Sequence, residues 1–399
     1  MKCCIISTLY PPNIVGGAEK VTAKLASALV KAGHSVTVIT LHDGHDTKIE
    51  FIDGVKVYYL PIDNLYWPFN AAIKPPAWKR VLWHMIDIWN FKAASRVGEI
   101  LDAEKPDIVN CNNVTGFSVA VWNEAKKRGI KIVHTLHDYS LLCPRGTLTK
   151  NGNVCETRCG FCVTMSLPKY IASRMVDHVV GVSKYVAAKH TDFNYFPNAK
   201  QSVIHNICEL PESREKLSRD EGTPFTFGFI GRVEQEKGIE VLLKAAVQLP
   251  QGDWRLCIAG RGRNEFVDAL KIQYANANIK WLGFTKPDEF YPQIDALIVP
   301  SLWPEPLTGV IAEAGARDIP VIISEMGGMP EFLEMGVLGL AIPAGDVHRL
   351  ATEMQDAMAG RGVMAMPQNN KKWQDELSET KIVEQYIACY QKYIASKTI

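Results

Sequence analysis

Residues 296–316 read ALIVPSLWPEPLTGVIAEAGA. The apolar run from Ala296 to Ser301 has the composition of a strand buried on both faces. Ser301 to Gly309 carries proline and turn chemistry, and Val310 to Ala316 reads as a helix. Strand, short loop and helix in that order make half of a βαβ unit. The same order repeats on both sides of this stretch. Strand-like runs lie upstream at 225–231, 256–260 and 279–283 and downstream at 320–324 and 339–343, with helical patterns between them. Such alternation predicts a parallel sheet covered on both faces.

A second series precedes it. Runs at 3–7, 36–40, 108–112, 131–137, 179–183 and 202–206 read as strands, and 50–60 reads as a hairpin around Asp53-Gly54. Ala18 to Lys31 is a helix with Val21, Leu25, Ala28 and Leu29 on one face, and 76–101 reads as one long helical stretch. Between the two series lies ELPESREKLSRDEGTP, residues 209–224, charged and nearly without apolar residues. The expected fold class is α/β: two Rossmann-like, doubly wound domains facing across a cleft. Residues 1–208 form the first, 209–224 a linker and 225–375 the second. A C-terminal helix within 376–399 packs back on the first domain.

The bulk numbers narrow the function. The chain has 399 residues, 47% hydrophobic and 22% charged, with a net charge of +1. That length suits two domains, and the neutral balance excludes nucleic acid as a general partner. The opening MKCCIISTLYPP is too short an apolar run for a signal peptide, and no stretch approaches a membrane span. A cytoplasmic location is expected. Six of the ten cysteines, Cys3, Cys4, Cys111, Cys208, Cys257 and Cys389, are scattered and read as small apolar residues.

Ligands of open α/β sheets bind at the carboxyl ends of the strands, and the polar residues gather there in sequence. Glu305 lies on the loop after 296–301 and Glu313 about one turn into the following helix. The backbone N–H groups of Leu307, Thr308 and Gly309 at that helix start suit a diphosphate. One carboxylate is then left for sugar hydroxyls and one for a ribose. Arg232 and Lys237 flank the turn after 225–231, where two cations suit a leaving diphosphate.

The ordered set Gly231–Gly238, Ile258-Ala259-Gly260-x-Gly262, Glu305-x7-Glu313 and Gly327-Gly328-Met329-Pro330-Glu331 resembles the donor domain of the retaining GT-B glycosyltransferases of family 4. Gly16-Gly17-Ala18-Glu19 is similar to that family's glycine-rich first loop and Val182-Ser183-Lys184-Tyr185 to its late N-domain loop. The resemblance implies that Arg232 and Lys237 hold the donor diphosphate, Glu305 the donor sugar and Glu313 the ribose. It implies that Gly16 and Gly17 let backbone approach the phosphates, and that Trp281-Leu282-Gly283 holds the nucleobase through Leu282. His205-Asn206-Ile207 departs from the family pattern, which has glycine after the asparagine. His137 and Asp138, at the end of 131–137, match the family's place beside the reacting sugar, so His137 would position it during front-face transfer. His134, one alternation earlier, reads as a core residue. No metal or cofactor is implied for catalysis. The partners implied are a UDP- or GDP-sugar donor and a glycan or lipid-linked acceptor of bacterial surface polysaccharide synthesis.

Two further clusters stand out. Cys143, Cys155, Cys159 and Cys162 sit in a Gly- and Asn-rich loop whose spacing suits a structural zinc, with an iron–sulfur cluster next; free thiols or a disulfide pair are the alternatives. Leu65-Tyr66-Trp67-Pro68-Phe69 and Trp78, Trp83 and Trp89, with Lys74, Lys79 and Arg80 among them, suit a membrane interface on the inner face of the plasma membrane. Three rival functions remain: a UDP-sugar epimerase of the same architecture, a non-catalytic nucleotide-sugar binding protein, and a nicotinamide-dependent dehydrogenase. The last would need Gly-x-Gly-x-x-Gly, which neither Gly16-Gly17 nor Gly260-x-Gly262 completes.

Overall fold

The computed structural model describes residues 1–14, 16–69, 75–150, 153–208, 222–367 and 372–395. Most of the 209–224 segment, and Lys74, lie outside the described residues. The chain divides into two compact units. The first comprises Met1–Leu148, Cys155–Ile207 and Glu379–Ile399, and the second Thr149–Val154 and Cys208–Ser378.

The first unit is built on an eight-stranded sheet. Its strands are β1 (Lys2–Ile6), β2 (Ser35–His42), β3 (Lys48–Ile52), β4 (Val55–Pro61), β5 (Ile108–Cys111), β6 (Lys131–Leu136), β9 (His178–Gly181) and β10 (Lys200–Val203). The short pair β7 (Thr149–Lys150) and β8 (Asn153–Val154) forms a separate antiparallel ladder. Sheet order is β10-β9-β6-β5-β1-β2-β4-β3, and every pair is parallel except the β3–β4 hairpin. β5 and β9 are buried along their whole length, as strands covered on both faces must be. Around them lie α1 (Gly17–Lys31), α2 (Ala77–Ile86), α3 (Phe91–Glu104), α4 (Ala120–Lys127), α5 (Gly160–Ala172) and α6 (Lys184–Asp192).

The single helix expected over 76–101 is two helices. Asn90 is extended, and its side chain accepts the N–H of Ala93, so it caps the start of α3. Just before it, Asp87 ends α2 and accepts the N–H of Gly116. The C-terminal helix, Glu379–Ile394, belongs to the first unit: Ile382, Tyr386 and Tyr390 enter the core with Ile5, Val38 and Ile108, and Tyr390 receives a hydrogen bond from Asn110.

The second unit carries a six-stranded, wholly parallel sheet in the order β13-β12-β11-β14-β15-β16. Its strands are β11 (Phe225–Ile230), β12 (Trp254–Ala259), β13 (Ile279–Gly283), β14 (Ala296–Val299), β15 (Val321–Ser324) and β16 (Gly339–Ile342). Its helices include α7 (Ile239–Ala246), α8 (Asn264–Gln273), α9 (Pro287–Phe290) and α10 (Gly309–Ala316). Separate apolar clusters cover the two faces, one around Phe227, Leu256 and Leu350, the other around Leu297, Ile311 and Phe332.

Candidate active site

In the second unit, the loops leaving the neighbouring parallel strands β11 and β14 meet at their carboxyl ends. Lys237 Nζ lies 2.6 Å from Glu305 Oε1. Ser301 Oγ donates to the same oxygen at 2.8 Å, and Trp303 Nε1 also at 2.8 Å. Glu305 is only 4% exposed, so its carboxylate depends on these three donors rather than on water. The Lys237 ammonium also lies 5.5 Å from the centre of the Trp303 ring, within cation–π reach.

Two glycines allow the loops to come this close. Gly238 has φ +72°, and a Cβ there would collide with the Pro300 carbonyl. Gly327 has φ +62°, and a Cβ there would strike the backbone of Glu305, whose carbonyl accepts the N–H of Gly328.

Glu313, on α10, accepts a hydrogen bond at 2.9 Å from the buried Tyr291 hydroxyl. Burial, then the nearby Glu313 carboxylate, push the Tyr291 phenol well above its ordinary range, which keeps the proton it donates. Arg317 stacks over that ring at 4.8 Å and is tied to Asp288. Arg232 is half-exposed and paired with Glu234 at 2.7 Å. Leu307 and Thr308 precede α10 and Gly309 opens it, while Leu282 sits half-buried near the end of β13.

In the first unit a second polar group forms at the carboxyl ends of the adjacent strands β1, β5 and β6. His137 Nε2 donates to Asn112 Oδ1 at 2.8 Å, and burial lowers the imidazole pKa to about 4, so the ring is neutral near pH 7. Asn113 Nδ2 donates to Asp138 Oδ2 at 2.6 Å, and the Ser140 N–H to Asp138 Oδ1 at 2.7 Å. Thr8, just after β1, donates to Asn113 Oδ1. Burial raises the Asp138 pKa, and the bonds from Ser140 and the charge of Lys169 hold it down. His134 is a core residue, stacked on Phe196 with Trp122 edge-on. Gly16 caps α1, with its N–H bonded to the Glu19 carboxylate, and Gly17 begins the helix with open space where a Cβ would stand.

Sequence reasoning named Glu305, Lys237, Glu313, His137 and Asp138, but not the residues that hold them: Ser301, Trp303, Tyr291, Asn112 and Asn113. For the asparagines a signal was available, since both directly follow a strand, where ligand-facing side chains collect.

The cysteine segment is helical at its C-terminal end. No disulfide joins any of the ten cysteines. Among the described residues no group of three or more His, Cys, Asp or Glu side chains is arranged to hold a metal ion. Cys143 and Cys162 come together with their sulfurs 3.6 Å apart, and Cys159 also hydrogen-bonds Cys162. Burial, reinforced by these neighbouring thiols, raises the Cys162 pKa. The segment expected to be loop ends in α5: Cys159 caps the helix and Cys162 lies in its first turn.

Comparison with known proteins agrees with this geometry. Residues 15–210 match the model of Glycosyltransferase Family 4, and residues 210–374 that of Glycosyl transferases group 1. The chain belongs to glycosyltransferase family 4. A protein described as an uncharacterized 42.6 kDa protein in the cps region of Klebsiella pneumoniae is 35% identical, over 83% of this chain and 87% of that one. Sucrose-phosphate synthase of Thermosynechococcus elongatus superposes with a TM-score of 0.75 at 18% identity, covering 99% of each chain. Anabaena HepE, solved with UDP and glucose, superposes with a TM-score of 0.67 at 18% identity, covering 98% of this chain and 99% of that one. The two sheets match the GT-B glycosyltransferase structures, and the chain is an enzyme of a retaining glycosyltransferase family.

Proposed function

We propose that this enzyme moves a sugar from a UDP- or GDP-sugar to a lipid-linked glycan in bacterial surface polysaccharide synthesis. The observation that carries the donor assignment is the convergence of Lys237, Ser301 and Trp303 on the buried Glu305 carboxylate at the carboxyl ends of β11 and β14. Lys237 and Arg232 hold the diphosphate and offset the charge that builds on it as the bond to the sugar breaks. Glu305 accepts hydrogen bonds from sugar hydroxyls, and Glu313, held by Tyr291, accepts from the ribose. The start of α10, at Leu307-Thr308-Gly309, directs backbone N–H groups at phosphate oxygens, and Gly16-Gly17 at the start of α1 let backbone approach them. Leu282 lies against the base.

The acceptor oxygen bonds to the anomeric carbon on the face that the diphosphate leaves. The departing phosphate oxygen takes the acceptor's proton, so no enzyme base or covalent intermediate is needed. His137, neutral and oriented by Asn112, and the neighbouring Asp138 hold the sugar as charge develops on it. This chain's own cations supply the charge at the diphosphate, so transfer should continue in EDTA. Residence of the 35% identical relative in a cps region supports an acceptor from capsule polysaccharide synthesis, and a lipid-linked acceptor of that kind would be met at the inner membrane surface.

A panel of labelled UDP- and GDP-sugars, incubated with the full chain and membrane extract, tests the reading. Labelled lipid-extractable product from one donor, abolished in Glu305→Ala, is expected. Conversion of the donor to an isomer without transfer would identify an epimerase instead.

A further inference from the structure

Large apolar side chains left in water are concentrated in one part of the first unit. Of the seventeen such exposed residues among the described ones, eight lie on α2 and α5, helices of 10 and 13 residues. Scattered surface apolar residues need no explanation, but a concentration of this kind does.

On α2 the exposed residues are Trp78, Val81, Leu82 and Met85, spaced i, i+3, i+4 and i+7, which puts them on one helix face. Trp78 is 68% exposed. The opposite face anchors the helix: Trp83 is buried, and its indole N–H donates to the Tyr66 carbonyl at 3.0 Å. On α5, Val163, Leu167 and Ile171 follow one another at i, i+4 and i+8, with Phe161 exposed at the helix start. The inner side of α5 is fixed at Ser166, which is buried and whose carbonyl accepts the Tyr195 hydroxyl at 3.0 Å. The two helices are neighbours. Lys169 of α5 bonds to the Ser140 carbonyl, and its charge acts on both His84 and Asp87 at the end of α2.

Charge decides what covers these faces. Neither helix contains an aspartate or glutamate; α2 carries Lys79 and Arg80, while Lys169 of α5 turns inward to the Ser140 carbonyl. A second copy of the chain docked through a two-fold axis would set cations against the same cations. An anionic bilayer surface instead accepts the apolar stripes among its acyl chains and pairs the cations with its headgroups. No helix among the described residues is long and apolar enough to cross a membrane, so the contact would lie on the surface.

We propose that α2 and α5 together form the surface by which the first unit docks on an anionic lipid bilayer. The docking deepens the lipid-linked acceptor reading and rests on it for its biological role, but the binding itself does not depend on catalysis. The test is flotation of the purified full chain with vesicles of phosphatidylcholine alone or mixed with phosphatidylglycerol. Binding to the mixed vesicles is expected, weakened by salt. Trp78→Ser with Met85→Ser, and separately Leu167→Ser with Ile171→Ser, should each lower it by roughly tenfold or more. The replaced side chains are exposed, so circular dichroism and donor turnover without membranes should be unchanged. No flotation of the wild type, or equal flotation of the variants, overturns the proposal. So does a wild-type dimer that the substitutions make monomeric, with no lipid binding. Flotation as expected from a chain that turns over no donor would overturn the transferase reading and leave the docking surface standing.

Discussion

Lys237 Nζ stands 2.6 Å from Glu305 Oε1, and the pair is nearly closed to solvent, with side-chain exposures of 18% and 5%. A buried ion pair of this kind is weak as a source of stability, because desolvation opposes its attraction. It is better understood as a site held ready: the donor diphosphate would draw Lys237 towards phosphate, and the sugar hydroxyls would take its place on Glu305. Glu305→Gln and Lys237→Ala should each lower kcat/KM by about 100-fold or more. Lys237→Ala leaves a buried carboxylate with two neutral donors, so a loss on the order of 1–3 kcal/mol in urea unfolding should accompany it. Wild-type turnover in either folded variant contradicts the donor assignment.

Trp303 should act through Glu305 rather than on substrate. Trp303→Phe keeps the ring beside Lys237 and removes the N–H that donates at 2.8 Å. A fall of roughly tenfold in kcat/KM is expected, from one lost hydrogen bond to a charged group. A variant that loses thermal stability but no activity would make Trp303 purely structural.

Tyr291→Phe removes the hydroxyl that holds Glu313. Because Glu313 is placed on the ribose, away from the bond that breaks, the expected change is a donor KM raised about five- to tenfold with kcat nearly kept. An equal fall in kcat with unchanged KM would move Glu313 to the reacting centre.

If His137 serves the transition state as proposed, His137→Ala should lower kcat by about 100-fold while donor affinity changes much less. Equal losses in both would assign it to binding or folding.

The pH dependence of stability follows from four histidines of the first unit. Burial lowers His134 to about 3 and His137, His178 and His190 to about 4, from an ordinary value of 6.5. Between pH 6.5 and about 4 the unfolded chain therefore binds more protons than the folded one. Their contribution is fully present above 6.5 and is lost as the pH falls towards 4. Asp87 acts in the opposite direction: burial raises it to about 7, so its contribution is lost as pH rises from 3.8 to 7. Urea midpoints should fall on acidification through the histidine window, and His178→Gln should flatten that fall. An unchanged slope in His178→Gln would contradict the assignment.

Much of the fold could be read from the chain because buried parallel strands announce themselves as short apolar runs, and Ile108–Cys111 and Ala296–Val299 are buried throughout. The break at Asn90 was not legible. An asparagine inside an aromatic-rich, helix-compatible stretch becomes a cap only because the loop at Gly116 and Ser118 fixes the chain before it. Helix α5 was hidden by Gly160, Thr164 and Pro168 and by cysteines whose spacing suggested a metal. In the candidate site, Glu305 and Glu313 stand out by a local spacing, whereas Tyr291 reaches Glu313 from 22 residues away only through the fold, and Ser301 and Trp303, 4 and 2 residues from Glu305, show no pattern of their own in the sequence.

The donor site is tested most directly by calorimetric titration of UDP and GDP into the full chain in EDTA. One nucleotide should bind the wild type, and Lys237→Ala and Glu313→Ala should each weaken it by about tenfold or more while remaining folded. Binding that vanishes in EDTA, or wild-type affinity in both variants, would contradict the placement of the donor between Lys237 and Glu313.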